Sequence, residues 1–528
     1  MSTSRLILVA VLICLMILPF GCRPRSDAFV IALGDNIGSI DPIGAATVDA
    51  ASERVRVLMF NTLVKKNEKF DYTGELASDI KRSDDGLTHT FTLRDGVKFH
   101  DGRTLTSADV KYTLDLVFSS NFGKSASFYE GAGADKRSYI NSVEAPDART
   151  IVITQSKPWV GLLSNLVPIA IIPKDSYESQ KTHPIGSGPF KFIRYDNTQQ
   201  VCDVEAFPDY WEGPPKLQHV RVRVISDMNA LQAELQAGRV DIAPMPTSLS
   251  PDAVKRLEQD PNLQVKAFQG SNLILLTFNT SSPPMDNVKV RQAIAYAIDR
   301  SSLIKNLLLG FGKIANSILP EESWAYSPGQ TYSYDPAMAK RLLDEAGFRD
   351  PDGDGPRMRF DKPVFYKVSG SSIAGRQYAG VVQNSLKEVG IPVEIQTPEI
   401  NTLLTELRRG NFQIAYSQWV GGNQDPIFYK DLFATSEIPT ETRTSRNRSR
   451  YSNKELDSLI DEAVNTFDRQ RARELYVKIQ EIVSRDVPVF PWWYQSNIVI
   501  AKKNVGNIQV DASGDWGFVK NLTQDSQN

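Results

Sequence analysis

The sequence predicts an α/β protein, and three observations carry that reading. Between residues 335 and 417, stretches with helical spacing alternate with short apolar runs, the order of a largely parallel sheet covered by helices. Residues 84–110 (DDGLTHTFTLRDGVKFHDGRTLTSADV) read as strand, turn, strand, turn and capped helix. A chain of 528 residues is long enough for two to four domains at roughly 150 residues each.

Composition excludes several function classes. Lys and Arg (60) nearly balance Asp and Glu (62), for a formal net charge of −2. No basic excess points to nucleic acid or to an anionic membrane surface. The four histidines, His89, His100, His183 and His219, are not at metal-ligand spacing. There is no G-x-S-x-G elbow, H-E-x-x-H, Walker A loop or dinucleotide fingerprint. The chain is therefore expected not to be an enzyme and to need no cofactor.

Taken in order, the chain opens with Arg5, an unbroken apolar run over residues 6–18, and then Gly21-Cys22. That run is short for a bilayer and has the layout of a secretory signal, residues 1–21. FVIALGDNIGSIDP (29–42) is a strand and a loop closed by Asp-Pro. An amphipathic helix over 54–63 and a polar hairpin over 64–71 follow.

In 84–110, Thr88, Thr90 and Thr92 alternate with His89, Phe91 and Leu93, the period of a half-buried strand. Asp95-Gly96 turns the chain, because glycine accepts positive φ. Thr106 and Asp109 form a capping box ahead of Val110, Leu114 and Val117. Residues 118–139 are irregular and glycine-rich; there Phe128 and Tyr129 either line a cleft or plug a local core. A strand pair over 142–154 turns at Pro146-Asp147, and PIGSGPFKF (184–192) is a bend that re-enters a strand.

Beyond it lie a strand at 220–224, a helix at 227–238 with Leu231 and Leu235 inward, and the apolar strand LILLTFN (273–279). Helix 288–299 leads to helix 335–346, strand 363–368, helix 373–389, strand 392–397, helix 401–409 and strand 412–417. Helices 454–466 and 468–486 precede the strand-rich run 487–500.

Two segments have two readings each. In DPDGDGPRMRFD (350–361), Asp350, Asp352 and Asp354 fit the head of a calcium loop, but position twelve is Asp361 and a strand follows. The plainer reading is an Asp/Gly turn. RTSRNRSR (443–450) is either a bidentate clamp for an anion or a solvated basic loop. SQWVGGNQDPIF (417–428) ends a strand in an aromatic residue, two glycines and Asp-Pro, the kind of place where binding loops sit.

Four of these stretches carry a resemblance. The run from Gly86 to Val110, the S-x-DP at 39–42, the FN and V-R-Q-A-I-x-x-A-I-D-R at 278–300, and Trp419 with Asp425-Pro426 are together similar to family 5 of the extracytoplasmic solute-binding proteins. These are the peptide, nickel and oligopeptide-binding subunits of ABC importers. The resemblance implies a two-lobed periplasmic-binding-protein fold, type II-like with an extra subdomain and two linkers between lobes. It places lobe I at 22–60, 185–283 and 495–528, its extra subdomain at 61–184, and lobe II at 284–494.

Gly21-Cys22 resembles a lipobox, which implies that Cys22 is acylated; a disulfide between Cys22 and Cys202 is the alternative. The ligand-binding candidates are Trp419, Gly421, Gly422, Asp425, Thr47 and Tyr129, with Trp492 or Trp493 either stacking on ligand or packing beside the second linker. In the family's peptide binders an aspartate receives the peptide's α-ammonium where this chain has Gly422. The expected function is capture of a peptide-like or other small solute outside the cytoplasmic membrane by hinge closure, with delivery to permease subunits. A glycan, opine or metal–chelate as solute, and a ligand-presenting sensor as role, are the alternatives. The protein is expected to be a monomer in the periplasm or on the outer face of the envelope, held to the membrane by lipid alone.

Overall fold

Phe29–Leu33 (FVIAL) is buried along its whole length, which requires neighbours on both edges and cover on both faces. In this computed structural model, which describes residues 28–45, 49–131, 136–246, 248–350, 359–419, 425–441 and 445–525, it has both. It pairs in parallel with His219–Val224 and with Ile242–Pro244. The complete sheet has seven strands, in the order Phe190–Asp196, Val201–Ala206, His219–Val224, Phe29–Leu33, Ile242–Pro244, Asn497–Lys502, Leu263–Phe268. Helix Ala50–Met59 starts earlier than the apolar spacing implies, because Asp49 caps it by accepting from the Ser52 N–H at 2.7 Å.

A four-stranded antiparallel sheet, Ala77–Arg82, Thr88–Leu93, Thr150–Gln155 and Ile140–Asp147, forms a smaller unit. His89, Phe91 and Leu93 point inward as their alternation requires. Residues 97–99 contribute only an isolated bridge, Lys98 to Thr104. The capping box is present: the Thr106 N–H donates to Asp109 Oδ2 at 2.8 Å. The hairpin turns at Ala148-Arg149, since Asp147 pairs directly with Thr150. One continuous apolar core joins this unit to one face of the seven-stranded sheet.

The second large sheet has six strands, in the order Gly312–Ile314, Val489–Gln495, Leu273–Phe278, Ile414–Trp419, Val364–Lys367, Val393–Gln396. Its parallel part is Val364–Lys367 with its two neighbours, the region of alternating helices and strands. Leu273–Phe278 is buried throughout; Ile274, Leu276 and Phe278 enter one core layer, and Leu273 and Leu275 the opposite one. The chain passes from the first large sheet to the second between Phe268 and Leu273, and returns between Gln495 and Asn497. These are the two linkers between the lobes.

The bend at 184–192 is held by His100. Its Nδ1 accepts from the Gly186 N–H (3.2 Å), so its proton lies on Nε2, which donates to the Gly188 carbonyl (3.0 Å). Both glycines press on the end of helix Ala50–Met59, where a Cβ on Gly186 would lie 2.1 Å from the Met59 carbonyl oxygen. Burial pushes the His100 imidazole down to about 4. The unfolded chain therefore takes up this proton first, and stability is lost as pH falls from about 6.5 towards 4. His100→Gln, which cannot titrate, should flatten the fall in urea midpoint between pH 6.5 and 4.5; an unchanged slope would refute this assignment.

Candidate functional site

Crevices outside the carboxyl ends of parallel strands are where α/β proteins bind ligands. In lobe I those ends belong to Phe29–Leu33, His219–Val224 and Ile242–Pro244, and in lobe II to Val364–Lys367, Val393–Gln396 and Ile414–Trp419.

The lobe II rim begins at Trp419, which pairs with Leu273, the first strand residue after the crossing. Trp419 is half-buried and meets Phe428 edge-on at 5.4 Å between ring centroids. The Arg446 guanidinium lies 5.8 Å from both rings and donates to Asp431 at 3.2 Å. The basic segment thus supports the tryptophan. Asp425 follows; its Oδ1 accepts the Ile427 N–H at 2.8 Å, and its Oδ2 accepts the hydroxyl of Tyr72, on the two-stranded ribbon of Val64–Lys66 and Tyr72–Gly74 that leads into the smaller unit and is counted with it. Burial pulls the Lys66 ammonium down to about 8, with Asp425 drawing it partly back. Burial and then Asp425 hold the Tyr72 phenol well above its usual range.

The lobe I rim is the loop after Phe29–Leu33. Asp41 accepts the Gly44 N–H (2.8 Å) and the Tyr177 hydroxyl (3.1 Å). Gly44 sits so close under Tyr177 that a Cβ would lie 1.7 Å from its hydroxyl oxygen. Lys124 is buried beneath the loop and donates to the carbonyls of Pro42 (2.9 Å) and Pro168 (3.0 Å), with Glu53 at 2.7 Å. Burial opposes the Glu53 charge, yet Arg56 and Lys124 hold the carboxyl below its ordinary range.

Arg54, on helix Ala50–Met59, lies within electrostatic reach of Asp515. Asp515 reaches solvent, yet the surrounding protein and then the Asp511 carboxylate push it up to about 6. Arg54 is lowered by burial, with Asp35 and Asp515 opposing. Among the described residues Arg54 makes no ion pair within 4.0 Å.

The remaining sequence candidates divide. Thr47, Gly421, Gly422 and Cys22 lie outside the described residues, as do Asp352 and Asp354. Asp350 is described, and among the described residues no group of three His, Cys, Asp or Glu is placed to hold a metal. Tyr129 commits its hydroxyl to the Phe118 carbonyl, tying down the end of helix Ser107–Ser119, and its ring lies 3.9 Å from Lys136 Nζ.

Trp492 has no exposed surface. In its strand Ile274 opposes Trp493 and Leu275 opposes Pro491, so Trp492 is the extra residue of a β-bulge. The bulge turns both tryptophans into one core layer, stacked at 5.2 Å. The structure therefore puts Trp492 in the core instead of on a cleft wall. Cys202 is a free, buried thiol, raised to about 12 by burial.

Sequence reasoning missed Lys66, Tyr72, Arg54 and Asp515. A tyrosine on an otherwise polar hairpin (VKKNEKFDYTG) was the one signal for the first two.

A family model described as bacterial extracellular solute-binding proteins, family 5 Middle, matches residues 71–439. Heme-binding protein A of Haemophilus influenzae is 30% identical over 473 residues, covering 85% of this chain and 83% of that relative. The oligopeptide-binding protein AppA of Bacillus subtilis is 30% identical over 485 residues, covering 87% of this chain and 85% of that relative. The solved structure of Bacillus subtilis AppA in complex with a nonapeptide matches with a TM-score of 0.72 at 27% identity, covering 94% of this chain and 99% of that chain.

Lys124 gives the rim a pH signature. Burial, then Arg56, pushes its ammonium down to about 8 despite Glu53. A lysine with a native pKa below its unfolded value, about 10.4, penalises the fold while protonated. The penalty fades as pH rises from about 8 to about 10.4. Wild type should gain denaturant stability relative to Lys124→Met across that window; parallel stability curves would contradict the assignment.

Proposed function

This chain belongs to the bacterial extracellular solute-binding proteins of family 5, and from that premise we propose that it is the substrate-binding subunit of an ABC importer, capturing a small solute between its lobes and handing it to the permease. The observation that carries the reading is the meeting of Asp425 with Tyr72 across the cleft: Asp425 is positioned where the lobes close. The resemblance implied a boundary at residue 283; because Leu273–Phe278 belongs to the six-stranded sheet, we instead propose residues 29–268 and 497–525 as lobe I with its smaller unit, and residues 273–495 as lobe II.

The solute we favour is peptide-like. Residue 422 is glycine and brings no carboxylate for an amine. The groups left to answer a zwitterion are Arg54 on one side and Asp515 and Asp35 on the other. Trp419 offers the aromatic face. Native mass spectrometry of freshly purified protein should show a small solute released on unfolding. Trp419→Ala should weaken its rebinding roughly 30-fold, as for an aromatic hot spot of about 2 kcal/mol. Protein that carries nothing, and that no member of a peptide and chelate panel protects thermally, would sink the reading.

Among the described residues no helix is long and apolar enough to cross a membrane. We assign residues 1–21 as the signal peptide and Cys22 as the acylated residue. Cys22→Ser should move the exported protein from the membrane fraction to the soluble one; retention in the membrane fraction would dismiss the anchor.

A further inference from the structure

The smaller unit meets lobe II through contacts made entirely of protein atoms. Tyr72 donates to Asp425. Its neighbour Asp71 pairs with Arg469. Arg469 is the first residue of helix Arg469–Asp486, where the helix dipole disfavours a cation. Its partners explain its place: Asp71 on one side and the Trp324 ring on the other, 3.8 Å from the guanidinium.

Farther along, the Arg82 guanidinium lies 4.3 Å from the Phe467 ring centroid. Phe467 presses on Gly86, where a Cβ would come within 2.3 Å of the ring. Gly86 has φ +71°, so glycine is required there twice over. The four contacts come from Asp71 and Tyr72, from Arg82 at the end of strand Ala77–Arg82, and from the turn at Gly86.

We propose that this edge of the smaller unit, from Tyr72 to Gly86, is a clamp that sets the balance between open and closed forms by itself. Each of its contacts joins one residue directly to another, so it favours closure whether or not the cleft is filled. Apparent affinity scales with the fraction of protein in the binding-competent form. These residues therefore tune affinity for any solute without touching it. The inference rests on the reading that the cleft closes about a hinge, and not on which solute it takes.

Small-angle scattering of the solute-free full chain tests it. Wild type should fit the closed arrangement. Arg469→Asp places a dipole-favoured residue at the helix start but repels Asp71 and abandons Trp324. It should lower the closed-to-open ratio roughly 10-fold and enlarge the radius of gyration, with an unchanged circular dichroism spectrum. The double variant Asp71→Arg with Arg469→Asp should bring the radius back towards wild type.

Superposed curves for wild type and Arg469→Asp, or a double variant as expanded as the single one, would overturn the clamp. Phe467→Ala, which changes no charge, is the second probe and should also expand the protein. Solute co-purification separates the two readings: bound solute without a scattering response removes only the clamp, whereas a charge-reversible response without any solute removes only the importer role.

Discussion

The two crossing segments touch, and that contact governs how the lobes can move. Gly270 faces the other crossing so closely that a Cβ would lie 2.0 Å from the Gln495 carbonyl oxygen. The Gln495 N–H donates to the Asn272 carbonyl at 2.8 Å. Ser271 donates through both its backbone N–H (2.8 Å) and its hydroxyl (2.9 Å) to the Ala512 carbonyl. Segments bonded side by side bend together about their common line, but sliding or twisting breaks the backbone hydrogen bonds between them. Leu273–Phe278, which begins at this line, is buried on both faces. A close-packed core transmits displacement rather than absorbing it. Opening and closing about one axis is the motion this construction leaves free.

The distances from that axis then assign different tasks to different contacts. Trp419 is paired at the first strand residue beyond the crossing, where rotation displaces it least. Tyr72, Asp71, Arg82 and Gly86 belong to the smaller unit, and their partners sit in the segment after Trp419 and at the junction before helix Arg469–Asp486. A small rotation makes or breaks these contacts completely. The stationary groups are suited to holding a solute, and the moving ones to reporting that it has been held.

How much of this was legible depended on the range of the interaction. The strand Thr88–Leu93, the box at Thr106 and Asp109, and the alternation from Pro336–Glu345 to Ile414–Trp419 are set by neighbours within a few residues, and the residues announce them. The start of helix Ala50–Met59 was read late because Ala50 and Ala51 add little to an apolar stripe, while the cap at Asp49 decides the boundary. Trp492 was open between stacking and packing. Alternation puts adjacent strand residues on opposite faces, and a bulge, which has no sequence sign here, cancels that rule. Tyr72 and Asp425 are 353 residues apart, and Asp71 and Arg469 are 398 apart; no periodicity spans such separations.

The chemistry of Asp425 shows why closure and recognition divide between the lobes. Its Oδ1 is bound by Ile427 and its Oδ2 by Tyr72, and the ammonium of Lys66 stands within its field. A ligand cation arriving there competes with a resident one. Removing either member of a partly buried charged pair leaves the other exposed to the full cost of desolvation, so this group is committed to the closed form. The lobe I wall is the reverse. Arg54 makes no ion pair within 4.0 Å among the described residues, and the surrounding protein and then the Asp511 carboxylate raise the Asp515 carboxyl to about 6. Partly desolvated charges interact more strongly with an incoming group than the same charges in open water. The closing surface is thus electrically satisfied before a solute arrives, whereas Asp35 and Asp515 only partly offset the cost of burying the Arg54 charge. That asymmetry lets one hinge serve solutes of different charge.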